Sequence, residues 1–275
     1  MPLFSRRPTV PVLRFSGPIG LATPLRPGLT LSSAAAAIER AFGSSRTPSV
    51  ALTVNSPGGS PVQSHLIFDR VRQMAKEKKK KVYVFCEDVA ASGGYFLALA
   101  GDEIYADPSS IIGSIGVISA SFGLDKAIAR LGIERRVYTA GEMKGALDPF
   151  QPVKAEDVER LRDVQREVHD VFVGVVKDRR AGRLNGPSEE LFSGAFWTAR
   201  RALQLGLIDG MADIRSKMRE VHGEHVRLRP VTFGGGGLLG RLRRLPSLNG
   251  GENTLAFDEL VSALEARALW SRFGI

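Results

Sequence analysis

Two stretches of this sequence place side chains where their neighbours would make them reactive. Ser92 lies in Ala91-Ser92-Gly93-Gly94-Tyr95, between small residues and glycines at an expected helix start. A serine hydroxyl is a poor nucleophile unless a base takes its proton and pre-aimed donors hold the developing oxyanion. Free N–H groups and the positive end of the dipole at a helix start favour such an anion. The same residues also make an ordinary helix cap. A second glycine-rich bend, Asn55-Ser56-Pro57-Gly58-Gly59-Ser60, follows the apolar run Val50 to Val54. Gly58 or Gly59 could lend a backbone N–H to an oxyanion hole because no side chain blocks close approach. A plain type I or II turn would use Pro57-Gly58 equally well.

The base for Ser92 is less obvious. His65 and His169 fall inside expected helices and His222 and His225 near an expected linker, so none stands in a glycine-rich bend. A lysine can serve if burial lowers its pKa from about 10.4 towards about 7 or 8, at a cost on the order of 4 kcal/mol. Lys144 fits best, because Gly141-Glu142-Met143-Lys144-Gly145-Ala146-Leu147-Asp148-Pro149-Phe150 surrounds one lysine with apolar and small residues. Spacing alone leaves a snorkelling surface lysine equally open.

These residues need strands and helices to carry them. Residues 9 to 15 read as a first strand and Ser32 to Phe42 as a first helix. Val50 to Val54 is a short β-branched strand, and a helix from about Val62 to Lys78 follows its glycine bend. Lys81 to Cys86 is the third strand, leading through Ser92 into a short apolar helix from Tyr95 to Ala100. Glu103 to Ala106 and Ile111 to Ser119 read as further strands, and Leu124 to Leu131 as a helix. From Ala155 to Asp178 apolar residues recur at three- and four-residue steps, the mark of a long amphipathic helix. Alternating strands and helices imply an α/β protein, and such proteins place their sites at the C-terminal ends of parallel strands, where the two bends would share a crevice.

The chain of 275 residues, 43% of them hydrophobic, is long enough to bury a substantial core. Its one cysteine, Cys86, sits in an apolar strand pattern and excludes an internal disulfide framework. We expect a main domain over residues 1–223, a basic glycine-rich linker over 224–253 containing Gly234 to Gly237, and an amphipathic helix over 254–275. Formal net charge is +9. The run Lys76 to Lys81 reads as the solvated end of a helix, where cations complement the dipole. The tail Leu238 to Leu245 mixes apolar and basic residues as a membrane-surface or partner-docking segment does. Met1 to Arg7 is basic, but Pro8, Pro11 and Pro18 come soon after it, so no signal peptide or anchor is expected; the expectation is a cytoplasmic protein with membrane-surface contact confined to the tail.

Taken in order, Asn55 to Gly59, Ala91 to Tyr95, Gly113-Ser114-Ile115-Gly116-Val117 and Gly141 to Lys144 with Pro149-Phe150 resemble the signal peptide peptidase A (protease IV) family of serine peptidases. Phe196-Trp197-Thr198 and Leu205-Gly206-Leu207-Ile208-Asp209 resemble that family's closing segment. The resemblance covers about residues 10 to 215. It implies the ClpP/crotonase-like fold, with Ser92 as nucleophile, Lys144 as base and the Ser114 hydroxyl orienting the lysine amine. It further implies an oxyanion hole from Gly93 with Gly58 or Gly59, no cofactor or metal, and rings or domes of identical subunits in which neighbours complete each site. An extended peptide substrate would lie near Ser60, Gly113, Ile115 and Val117. The sequence departs from typical members in showing no N-terminal anchor and in holding one copy rather than two in tandem. The implied activity is therefore endopeptidase cleavage of short or unfolded peptides, residual signal peptides among them, by a Ser-Lys dyad. Two other readings compete. Crotonase relatives use such bends to hold a coenzyme A thioester enolate, and a non-catalytic basic scaffold would bind acidic lipid or nucleic acid.

Overall fold

The computed structural model of the chain describes residues 7–20, 28–233, 263–264 and 266–274. Two compact units are distinguished, one of residues 1–115 and 173–275 and the other of Gly116–Phe172.

The first unit is built on a mostly parallel sheet. In chain order it holds β1 (Thr9–Ser16), α1 (Leu31–Gly43), β2 (Ser49–Ser56), α2 (Pro61–Lys78), β3 (Lys81–Ala91), α3 (Gly93–Ala98), β4 (Glu103–Ala106) and β5 (Ile111–Gly113). The second unit follows with α4 (Asp125–Arg130), a 3-10 turn at Glu142–Gly145, and α5 (Ala155–Arg179), whose last residues return to the first unit. The first unit then closes with α6 (Ser188–Leu191), β6 (Phe196–Thr198), α7 (Ala199–Gln204), β7 (Gly210–Met211), α8 (Ile214–His222) and β8 (Arg227–Val231). The strand order is β6-β5-β3-β2-β1-β8, with β4 pairing β3 and β7; every pair is parallel except β5 with β6.

β2 is buried along its whole length, as expected of a parallel strand covered on both faces. β3 is longer than the apolar run predicts because it changes partners. Tyr83 to Cys86 pair with β4, whereas Val89 to Ala91 pair with β5. Between these halves the register against β2 shifts, and the strand bends at Glu87 and Asp88. The core includes Leu13, Phe15, Leu52, Val84, Tyr95 and Ile104, and Cys86 is buried in it as the strand pattern predicts. Burial pushes the Cys86 thiol up to about 12 and leaves it inert. The lysine run lies at the end of α2, with Lys79 as its left-handed cap, and Lys81 pairs with Glu103 at 2.5 Å.

Two expectations are corrected. The strand predicted over Ile111 to Ser119 ends at Gly113, because Gly113 (φ 114°) and Ser114 (φ 52°) turn the backbone out of the extended region. The segment read as the start of a linker contains β8, which pairs with β1; its alternation is masked by exposed arginines and by Pro230, both tolerated on an edge strand. Gly234 to Gly237, the basic tail 238–245 and residues 254–262 of the expected last helix lie outside the described residues. Residues 266–271 are helical, and beyond them Phe273 packs on Val89, Ala91 and Phe196.

The second unit is held by a few polar ties. Leu124 N–H donates to the Pro149 carbonyl at 2.6 Å, Arg135 pairs with Asp148 at 3.0 Å and lies over the Phe150 ring, and Leu147 N–H donates to Asp157 at 3.2 Å. Neither α4 nor the 3-10 turn has a buried residue, and Phe122 and Tyr138 are 83% and 91% exposed. No helix among the described residues is long and apolar enough to cross a membrane.

Candidate active site

Ser92 stands at the bend from β3 into α3, with φ 53° and ψ −124°. A non-glycine residue with positive φ is strained by about 1–3 kcal/mol and persists only where its surroundings enforce it. Here the enforcement is backbone on both sides. Ser92 N–H donates to the Gly113 carbonyl at 2.8 Å, continuing the β3–β5 ladder, and its carbonyl accepts from Phe96 N–H at 3.0 Å. Although Ser92 occupies the cap position of α3, its side chain makes no capping hydrogen bond, and the residue is only partly buried. The hydroxyl is thus left out of the helix that the residue begins.

The two glycine bends nest against each other. A Cβ on Gly58 would come within 2.8 Å of Ser92 Cβ and 2.9 Å of Gly93 N, and one on Gly94 would lie 2.3 Å from the Ser56 carbonyl oxygen. Side chains at either position would push the bends apart. Gly58 N–H is already committed to Ser56 Oγ at 3.2 Å. Gly59 bridges Ile19 through its neighbours, with Ile19 N–H donating to Gly58 and Ser60 N–H to Ile19. Its own N–H therefore faces the other way and meets no acceptor among the described residues. Gly93 N–H, in the first turn of α3, has no intrahelical acceptor.

Asn55, unassigned by the sequence reading, holds the bend of β3. Its Nδ2 donates to Asp88 at 2.6 Å and its Oδ1 accepts Val89 N–H at 3.2 Å, across the register shift that aims the strand at Ser92. Only its place in the Asn-Ser-Pro-Gly-Gly bend hinted at such a role, since the register shift is invisible in sequence.

Of the other residues singled out from the sequence, Ser114 is buried and its N–H donates to Ala195 at 2.7 Å. Gly113 is engaged through its carbonyl with Ser92, and Ile115 is fully buried. Ser60 caps α2, its Oγ accepting Gln63 N–H at 3.3 Å. The first unit thus gathers Gly58, Gly59, Ser60, Ser92, Gly93, Gly113, Ser114 and Ile115 on β2, β3, β5 and the turns that follow them. Val117 and Lys144 belong to the second unit. There Lys144 sits in the 3-10 turn with its N–H donating to Gly141 at 3.2 Å; the side chain is exposed and has no ion pair among the described residues. Within this unit Met143 and Leu147, the apolar neighbours in its turn, are themselves 43% and 39% exposed.

The chain can be compared with known proteins. The profile of Peptidase family S49 matches residues 74–226. Serine protease SPPA, chloroplastic, of Arabidopsis thaliana is 31% identical over 169 residues, which cover 59% of this chain and 24% of that protein. A protein named Na(+)/H(+) antiporter NhaA from Brucella abortus (strain 2308) is 51% identical over 275 residues, covering 97% of this chain but 37% of its own length. The chain thus spans little more than a third of the Brucella protein. Among solved structures, a point mutant of the 1510-N membrane-bound stomatin-specific protease shares the fold, with a TM-score of 0.52 at 16% identity over 82% of this chain and 99% of that one.

Proposed function

We propose, from the premise that this chain belongs to peptidase family S49 and is by that membership a serine-type peptidase, that it is an endopeptidase working through a dyad of Ser92 and Lys144. The observation that carries the reading is the setting of Ser92: a strained bend, a hydroxyl that caps nothing, a Gly93 N–H without an acceptor among the described residues, and the Gly58-Gly59 bend packed against it through Gly58. In the proposed reaction Lys144 takes the hydroxyl proton as Ser92 Oγ attacks the peptide carbonyl. Gly93 and Gly59, rather than the committed Gly58, donate to the oxyanion, and the lysine then passes its proton to the leaving amine. Water activated by the same lysine releases the acyl group. Ser114 orients the amine.

Burial is one way to make a lysine a base, and within its own unit the Lys144 side chain is exposed. We therefore place the working site at a contact between identical subunits. Supporting this are the exposed apolar side chains of the lysine-bearing unit, among them Phe122, Leu131, Tyr138 and Val153, which a lone subunit would leave in water. The substrates proposed are short or unfolded peptides in extended form, residual signal peptides included.

The test is casein hydrolysis by the purified chain beside Ser92→Ala and Lys144→Ala between pH 6 and 10. Both variants should lose at least about a thousandfold in rate, and the wild type should gain activity towards alkaline pH. A fully active Lys144→Ala removes the dyad. A wild type that cleaves nothing returns the thioester-binding and scaffold readings.

A further inference from the structure

The helix that presents Ser92 is a poor one by its own sequence. α3 has six residues, opens with two glycines and receives no side-chain cap. Glycines disfavour helix, and so short a helix does not hold by itself in water. Yet the direction of its first peptide groups sets where the Ser92 hydroxyl and the Gly93 N–H point.

The restraint lies at its other end. Three successive carbonyls just past α3 each accept from a guanidinium: Leu99 from Arg179 Nε at 2.9 Å, Ala100 from Arg72 Nη1 at 2.9 Å, and Gly101 from Arg179 Nη2 at 2.8 Å. The two arginines meet on Asp102 Oδ1, at 2.8 Å from Arg72 and 3.2 Å from Arg179. Asp102 Oδ2 in turn accepts Val82 N–H at 2.8 Å, and Asp102 N–H donates to the Val82 carbonyl at 2.8 Å. The cluster therefore grips both the exit of α3 and the start of β3, the two elements that meet at Ser92. Cations at a helix C-terminus also complement its dipole.

We propose that Arg179 is a positioning residue for the nucleophile, its planar fork fixing the axis of α3 by holding two carbonyls at once. The inference rests on Ser92 being the nucleophile. A lysine at this position reaches one carbonyl and lacks the fork. The arginine acts from the far end of α3 and touches no reacting atom, so its removal should slow the chemistry without weakening substrate binding.

The experiment follows the rate at which a fluorophosphonate probe labels the protein, with kcat and KM on casein and a thermal melt, for wild type, Arg179→Gln, Arg179→Lys and Ser92→Ala. At a temperature where each variant is folded, Arg179→Gln should label at least about tenfold more slowly, with kcat lowered in step and KM within about twofold; Arg179→Lys should fall between it and the wild type. A folded Arg179→Gln that labels at the wild-type rate, whatever its melting temperature, overturns the proposal by showing a role in stability alone. If Arg179→Gln does not fold, wild-type labelling of Arg179→Lys overturns it equally. Undiminished labelling of Ser92→Ala would instead bring down the assignment of the nucleophile, and this inference with it.

Discussion

The bend that carries Ser92 and the turn that carries Lys144 are built in opposite ways. Around Ser92 the chain supplies a bulged strand pinned by Asn55, two glycine bends packed against each other, and a ladder bond from Ser92 N–H to the Gly113 carbonyl. Around Lys144 it supplies little, since the side chain is exposed, the 3-10 turn has no buried residue, and apolar side chains nearby face water. A nucleophile and oxyanion donors must be preorganised to help a transition state, and in the proposed reaction one chain would supply both. Desolvation of a base takes surrounding surface, and a second copy can provide it.

The contrast can be broken most directly by mixing. Ser92→Ala and Lys144→Ala subunits are each expected to be inactive, but if the base works across an interface, equal mixing followed by reassembly should restore roughly a quarter of wild-type activity. No recovery in a mixture shown to have exchanged subunits would place the dyad within one chain. Tyr138→Asp sharpens the same point: a charge on a side chain 91% exposed should leave the subunit folded while shifting its sedimentation towards monomer and abolishing hydrolysis. An active monomer would separate the exposed apolar surface from catalysis.

How far the sequence announced this asymmetry depends on the kind of information each part needs. The strands and helices around Ser92 were readable because apolar runs ending in glycine bends are local signals; β2, α2 and β4 fall within a residue or two of expectation. What was missed depends on distant partners. β8 gains its place only by pairing with β1, more than two hundred residues away, and three of its five side chains are exposed. Asn55 matters because of the register shift in β3. Nothing in the sequence singles out Arg72 and Arg179, because their partners, the carbonyls of Leu99, Ala100 and Gly101, are set by the fold. The small residues around Lys144 suggest apolar walls, but burial is a property of what packs over a segment, and within its own unit Met143 and Leu147 beside it are exposed.

The next effect in size concerns the prebuilt half. Gly94→Ala would put a methyl group 2.3 Å from the Ser56 carbonyl, a backbone atom that cannot swing aside. We expect a loss of about 3 kcal/mol or more of stability in urea unfolding, and a loss of labelling at Ser92 in whatever fraction stays folded. Gly145→Ala, in the lysine-bearing turn, meets nothing within 4 Å and should cost neither. Equal penalties at the two glycines would contradict the contrast between tight and open regions.

The smallest effect is a dependence on acid, and it asks what keeps the first unit rigid behind its site. Arg180 is 1% exposed and pairs with Asp209 at 2.8 Å, while Asp209 also accepts Ile104 N–H at 2.7 Å and meets Arg183 at 3.1 Å. Burial by itself would push the Asp209 carboxyl up, but the Arg180 guanidinium and the Ile104 N–H outweigh it and hold the group below the ordinary aspartate value. A carboxyl whose pKa is lower folded than unfolded stabilises the fold above the unfolded value, about 3.9, and that contribution is lost as pH falls through the lower folded value. Stability from urea midpoints should therefore fall as the pH drops below about 4 in the wild type. In Asp209→Asn the fall should be shallower, from a neutral-pH stability already lower by about 3 kcal/mol because a buried guanidinium has lost its anion. Identical acid slopes in the two proteins would mean that other carboxylates carry the dependence and that the Arg180 pair contributes little to the frame behind Ser92.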